Sequence, residues 1–205
     1  MIRTLFFDFG NVVAFFDHSP AVAKLSTYTD MPPEALRKML YGSLERQFES
    51  GQIDTVAYIQ MATELGQLRC TKDEFLAPFV EIFTRNADVC DLIPQLAKSY
   101  RLVLASNTNE THAAKFRLQF PDVLQHFSHL GVSYEAKARK PDAAFYAYCQ
   151  SYANADPHEC AFIDDMAVNV EAAEQHGFRG IHYRPGDTLT EKLREAGICV
   201  NSQST

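Results

Sequence analysis

The stretch that most constrains this chain is Thr4-Leu5-Phe6-Phe7-Asp8-Phe9-Gly10-Asn11-Val12-Val13. Residues 4–7 form an uninterrupted apolar run with two aromatics. Such a run, without alternation, reads as a strand buried on both faces, the kind found in parallel sheets. It stops at a carboxylate, Asp8, and the turn formers Gly10 and Asn11 follow. Open α/β sheets gather their chemistry beyond the carboxyl ends of their strands. Asp8 could simply cap a following helix, but three segments further along the chain offer it chemical partners.

After Ala14-Phe15-Phe16-Asp17-His18-Ser19-Pro20, which reads as a hinge, residues 20–86 are expected to be helical throughout. Leu36, Met39 and Leu40 make one apolar stripe. Tyr58, Met61, Ala62 and Leu65 make another at helical spacing, with Asp54 as N-cap and Gly66 as terminator. Thr71-Lys72-Asp73-Glu74 has the form of a capping box and opens a third helix bearing Leu76, Phe79, Val80 and Phe83. These aromatics are best explained as the core of a small bundle. From residue 88 the pattern alternates. Asp91 is expected to cap a helix through Lys98. Residues 102–105 form a strand ending in Ser106-Asn107. Residues 112–120 are helical, and 127–132 make a weaker strand. Lys140-Pro141-Asp142 precedes a helix with Phe145, Tyr148, Cys149 and Tyr152 on one face, proline suiting a first helical position. A strand at 160–163 ends in Asp164-Asp165, followed by a helix with Val168, Ala172 and Ala173 that Gly177 stops. A last strand spans 180–183 and a last helix 189–196. The polar tail, residues 201–205, is expected to be disordered.

The expected fold is therefore α/β: a Rossmann-like parallel sheet with helices on both faces, and an all-helical insertion after the first strand. The expected organisation is a core of residues 1–14 and 87–200 with a helical cap at 15–86. A net charge of −7 gives no electrostatic basis for binding nucleic acid or an anionic membrane. No apolar run approaches the roughly 20 residues that span a bilayer. The chain starts Met-Ile-Arg-Thr and runs straight into the strand, with no targeting peptide in view. Five dispersed cysteines, Cys70, Cys90, Cys149, Cys160 and Cys199, lack any Cys-x-x-Cys pair. They read as free, packed thiols of a reducing compartment, so a cytoplasmic location is expected and a zinc site is not.

Asp8, Ser106-Asn107 and Asp164-Asp165 all fall at strand ends, and Lys140 opens a helix in the same half. Such a fold brings these ends to one crevice. Three carboxylates together repel, and at least one would keep its proton unless a cation neutralised them. All-oxygen ligands suit magnesium. Ser106, Asn107 and Lys140 add donors for an anion. Metal, lysine, hydroxyl and a carboxylate nucleophile together make a phosphoryl-transfer site.

The four segments, in order, resemble the motifs of the haloacid dehalogenase-like hydrolase superfamily: Asp8-Phe9-Gly10-Asn11-Val12, Ser106-Asn107, Lys140-Pro141, and Asp164-Asp165 with Asn169. The resemblance covers nearly the whole chain and is nearest to bacterial sugar-phosphate phosphatases of the glucose 1-phosphate type. It implies that Asp8 attacks phosphorus of a small phosphate ester to form an aspartyl-phosphate. It implies that Asp8, the Gly10 carbonyl and Asp165 hold Mg2+, with Asp164 in the same cluster and Asn169 supporting. Ser106, Asn107 and Lys140 would bind the phosphoryl group, and the helical insertion would be a mobile cap.

Gly10 departs from the pattern. Most phosphatases of the superfamily carry an aspartate there as general acid and base, a role worth about 10²- to 10⁴-fold in rate. Without it, substrates with stable leaving groups are favoured: anomeric, aryl or acyl phosphates. Asp17 or His18 at the hinge could carry the proton instead. Two rival readings follow from Gly10: a metal-independent 2-haloacid dehalogenase, whose halide needs no proton, and a lapsed site kept as a binding domain. Arg46 to Gln52 reads as a polar turn that either reaches the site or faces solvent.

Overall fold

The computed structural model describes residues 1–200; the tail expected to be disordered lies outside them. In chain order the elements are β1 (Thr4–Phe7), β2 (Ala14–Phe16), α1 (Ser19–Leu25), α2 (Pro33–Leu40), α3 (Ser43–Glu49), α4 (Thr55–Gly66), α5 (Lys72–Val80), β3 (Phe83–Arg85), α6 (Ala87–Leu96) and β4 (Arg101–Ser106). There follow α7 (Glu110–Gln119), α8 (Pro121–Leu124), β5 (His129–Val132), α9 (Ser133–Ala136), α10 (Ala143–Gln150), β6 (Cys160–Asp164), α11 (Ala167–Gln175), β7 (Arg179–His182) and α12 (Leu189–Glu195).

Five strands form one parallel sheet in the order β5-β4-β1-β6-β7. β1 lies in the centre, with Phe7 opposite Leu104 on one side and Ile163 on the other. All four of its residues are buried, which explains why the run shows no alternation. Phe7 faces a cluster with Leu104, Phe116 and Ile163, while Phe6 faces the opposite one with Phe145, Tyr146 and Phe162. The order reverses around β1, so the crevice beyond its carboxyl end is the switch point of the sheet. No helix among the described residues is long and apolar enough to cross a membrane.

Helices α1 to α5 enclose a third cluster, in which Leu36, Leu40, Phe48, Tyr58, Phe75 and Phe79 are buried. Tyr58 and Phe48 stack at 4.6 Å, and Tyr58 and Phe79 lie 5.3 Å apart. Asp54 caps α4 by accepting from the Ala57 amide, and Thr71 with Glu74 forms the expected capping box on α5. Met39, Met61, Leu76 and Val80 sit at the margin of this cluster, and Leu65 points to solvent; Ile59 and Phe75 take the inward places.

The insertion is not all helical. β2 and β3 pair antiparallel, Phe16 opposite Phe83, where the chain leaves the core and returns to it. Phe83 therefore does not continue the α5 stripe; it packs edge-on against Phe9 at 5.4 Å. Three-residue strands carry no readable periodicity, and this pairing is made by tertiary contact. The segment expected as a polar turn is helical as far as Glu49. Helix α6 begins at Ala87 rather than at Asp91, because Asn86 breaks the strand ahead of it and donates to the Val12 carbonyl. Pro141 stands before α10, in a cis peptide with Lys140, and not inside the helix. Tyr146 joins Phe145 and Cys149 on its buried face. On α11 it is Val170, not the exposed Val168, that turns inward beside Ala173. All five cysteines are free; Cys90, Cys149 and Cys160 are buried, and Cys199 is exposed.

Candidate active site

Asp8 continues the β1 ladder, its amide donating to the Ile163 carbonyl, and its carboxylate sits just beyond the strand. Lys140 reaches it from the loop before α10. The Lys140 ammonium lies 2.8 Å from Asp8 Oδ1 and 2.7 Å from Asp164 Oδ2, with its side chain essentially sequestered from solvent. A buried lysine needs such partners, since isolated burial would strip its charge. Burial does oppose that charge, yet Asp164 and Asp8 hold Lys140 above the ordinary lysine range.

Asn107, at the end of β4, fixes the lysine's backbone. Its side-chain oxygen accepts from the Lys140 amide at 2.8 Å and its Nδ2 donates to the Lys140 carbonyl at 3.0 Å. The Asn107 side chain thus braces Lys140, and the residue also lines both cavities at this end of the sheet. Ser106 is buried, and its hydroxyl has a long contact of 3.5 Å with the Asn107 carbonyl, at the limit of a hydrogen bond.

Asp164 is fully buried and fully engaged. Oδ1 accepts from the Met166 amide and from Asn169 Nδ2, both at 2.9 Å, while Oδ2 takes Lys140. Asp165 turns the other way, accepting from Asn11 Nδ2 at 3.0 Å. Asn11 is both a turn former and part of the first motif. Its left-handed backbone, φ 55°, is what lets its amide face Asp165.

Carboxylate oxygens of Asp8, Asp164 and Asp165 lie within 4.8 Å of one another. Burial, together with Asp164 and Asp165, pushes the Asp8 carboxyl up to about 7 against the pull of Lys140. Asp165 is raised as well, by burial and by Asp164. One lysine therefore leaves negative charge in excess. An all-oxygen, electron-rich cluster of this kind fits a hard divalent cation, with Asp8 and Asp165 the carboxylates best turned to receive it.

The hinge residues part company. Asp17 is exposed, and its carboxylate accepts from the Ser19 amide at 2.8 Å; it does not join the cluster. His18 does line the cavity under the inserted helices, stacked on Tyr41 at 3.8 Å. Burial pushes it down to about 4, so near neutral pH it has no proton to give. The space beside Gly10 is taken by Phe16: a Cβ built on Gly10 would stand 2.9 Å from the Phe16 ring.

The cavity that His18 lines joins Gly10, Ser106 and Asn107 of the core to His18, Glu45 and Glu49 of the insertion. A neighbouring recess holds Asp8, Lys140, Asp165, Arg139 and, again, Glu49. Glu49 is ion-paired with Arg139 at 2.8 Å. Glu49 belongs to the 46–52 segment that could reach the site or face solvent, and it lines both cavities; Glu45 and Arg139 carried no signal in the sequence. Among the described residues, His18 Nδ1, the Tyr41 hydroxyl and Arg139 Nε are buried polar atoms without a protein partner.

The model of the haloacid dehalogenase-like hydrolases matches residues 2–177. The D-ribitol-5-phosphate phosphatase of Bacteroides thetaiotaomicron is 25% identical over 203 residues, covering 94% of this chain and 97% of that protein. Flavin mononucleotide hydrolase 1 of Arabidopsis thaliana is 36% identical over 66 residues, spanning 32% of this chain and only 27% of the plant protein. A haloacid dehalogenase family enzyme of Bacteroides thetaiotaomicron, solved with magnesium and inorganic phosphate, has the same fold. Its TM-score is 0.80 at 24% identity, over 91% of this chain and 96% of that one.

Proposed function

The chain belongs to the haloacid dehalogenase-like hydrolase family, and on that premise we propose that it is a magnesium-dependent phosphatase of small sugar or polyol phosphates that works through an aspartyl-phosphate on Asp8. The observation that carries this reading is the meeting of Asp8, Lys140, Asp164 and Asp165 at the carboxyl end of the central strand. Asp8 is the nucleophile. Lys140 and the Ser106 hydroxyl bind the phosphoryl oxygens, with Asn107 contributing its main-chain N–H and holding Lys140 in place. Asp164 and Asn169 orient Lys140. Asp8, the Gly10 carbonyl and Asp165 would hold magnesium, which supplies charge neutralisation and polarises the phosphoryl group. Residues 15–86 act as a cap that closes over the substrate, core and cap being residues 1–14 with 87–200 and the insertion between.

The cavity wall supports an uncharged leaving group. Its acidic side chains from the cap are Glu45 and Glu49, and the cations nearby, Arg139 and Lys140, already have carboxylate partners. His18 Nδ1 and the Tyr41 hydroxyl suit substrate hydroxyls. A haloacid would bring a carboxylate against these acids, which counts against dehalogenation.

The test is a panel of sugar, polyol and nucleotide phosphates assayed for phosphate release with magnesium, with EDTA, and with Asp8→Asn. The reading predicts turnover that EDTA abolishes and Asp8→Asn reduces by at least about 10³-fold. Halide release that survives EDTA would favour the dehalogenase, and no release from any ester would favour a lapsed site.

A further inference from the structure

Hydrolysis of an alkyl phosphate needs a proton for the departing oxygen, and Gly10 has no side chain to give one. Nor can a larger residue be imagined there without moving Phe16. Asp17 faces solvent, and His18 is held neutral. A carboxyl group does look into the same recess from the other side. Glu49, at the last turn of α3, shares that recess with Asp8, Gly10 and Lys140, and its side chain is only 14% exposed.

We propose that Glu49 is the general acid and base of this enzyme, supplied by the cap in place of the missing core aspartate. The inference rests on the phosphatase reading above and deepens it. As an Asp8 oxygen bonds to phosphorus and the bond to the leaving oxygen breaks, that oxygen takes the proton of Glu49. In the second half, water attacks the phosphorus of the aspartyl-phosphate, and Glu49 takes a proton from it. The bond from phosphorus to Asp8 breaks, so phosphate leaves with both carboxyl groups restored.

The surroundings of Glu49 suit this exchange. Burial raises its carboxyl, while Arg139, Lys140 and Arg46 pull the other way. Glu45 sits one turn earlier on the same helix and is pushed up to about 8 by burial and by Glu49. Arg139 takes one oxygen of Glu49, Oε2, and fixes the side chain against the core. Because the acid rides on the cap, proton delivery depends on closure. The leaving-group restriction expected from Gly10 then no longer holds, and primary alkyl phosphates become good substrates.

Leaving-group dependence tests this directly. Wild type, Glu49→Gln and Glu49→Asp are compared with magnesium on a polyol phosphate and on 4-nitrophenyl phosphate, whose phenolate needs no proton. The ratio of kcat on the alkyl ester to kcat on the aryl ester is taken within each preparation, so partial unfolding cancels. In Glu49→Gln the ratio should fall by about 10²- to 10⁴-fold, with partial recovery in Glu49→Asp. The alkaline limb of the wild-type profile on the alkyl ester should be lost in Glu49→Gln. A ratio unchanged within about threefold would overturn the inference while leaving the phosphatase reading intact. Absence of magnesium-dependent turnover of either ester by wild type would overturn both.

Discussion

Lys140 is the residue on which the site's electrostatics turn. It neutralises one charge among three carboxylates, and its side chain is 1% exposed. Removing one partner from a buried ion pair leaves the others uncompensated, at a typical cost of about 3–5 kcal/mol. Lys140→Met should therefore destabilise the protein by about that much in urea titrations at pH 8, above the value of about 7 to which Asp8 is raised. The loss should shrink toward pH 5, where Asp8 accepts a proton. A pH-independent loss would mean that packing, not charge, is what the lysine provides. The role of Lys140 as a cation near Asp8 could be inferred from the chain order of polar strand ends. The role of Asn107 could not, because a side chain that braces a backbone and one that meets an anion look the same in sequence. Asp17 misled for a related reason: proximity to the hinge does not say which way a side chain turns, and an N-terminal amide of α1 claimed it.

At the scale of elements, the inserted segment meets the sheet domain through polar bonds as well as aromatic packing, Phe79 stacking on His112 at 4.5 Å and Phe83 lying edge-on to Phe9. Thr55 donates through its amide and hydroxyl to Glu110, Lys137 donates to the Gly51 carbonyl, and His112 Nε2 lies 3.0 Å from the Phe79 carbonyl. His112 is buried, and burial pushes it down to about 3 from the usual 6.5. The sign follows from linkage. Below pH 6.5 the unfolded chain takes up a proton that the folded chain refuses, so stability is lost as pH falls from 6.5 toward 3. The loss approaches about 1.4 kcal/mol per pH unit. Asp8 and Glu45, with raised values, act in the opposite sense, so the effect is read as a difference. Wild type should lose stability relative to His112→Gln as pH is lowered from 6.5 to 4; parallel curves would contradict a buried neutral His112. The helices of the cap were legible from their stripes and caps, as Asp54 and Thr71 illustrate. β2 and β3 were not, being three residues each. Glu45 was not either, and Glu49 was legible only as part of the polar stretch 46–52, whose sequence does not say whether it turns to the site or to solvent.

For the whole molecule, the parallel sheet and its crevice follow from one local fact. A strand buried on both faces must lie inside the sheet, and β1 lies at its centre with neighbours on each side. The apolar runs at 102–105 and 160–163 could be read the same way, and both flank it. Every polar cluster that closes one of these strands then arrives at the same edge. Sequence could mark those ends because the change from apolar to charged residues is abrupt there. It could not describe the cavity above them, whose shape depends on how the cap sits. The central claim is that Asp8 attacks phosphorus. The most direct measurement is peptide mass spectrometry on enzyme acid-quenched during turnover of a good substrate with magnesium. The account predicts a phosphoryl group on the peptide carrying Asp8, lost on brief alkaline treatment and never formed by Asp8→Asn. Turnover with no phosphorylated peptide, undiminished in Asp8→Asn, would contradict it.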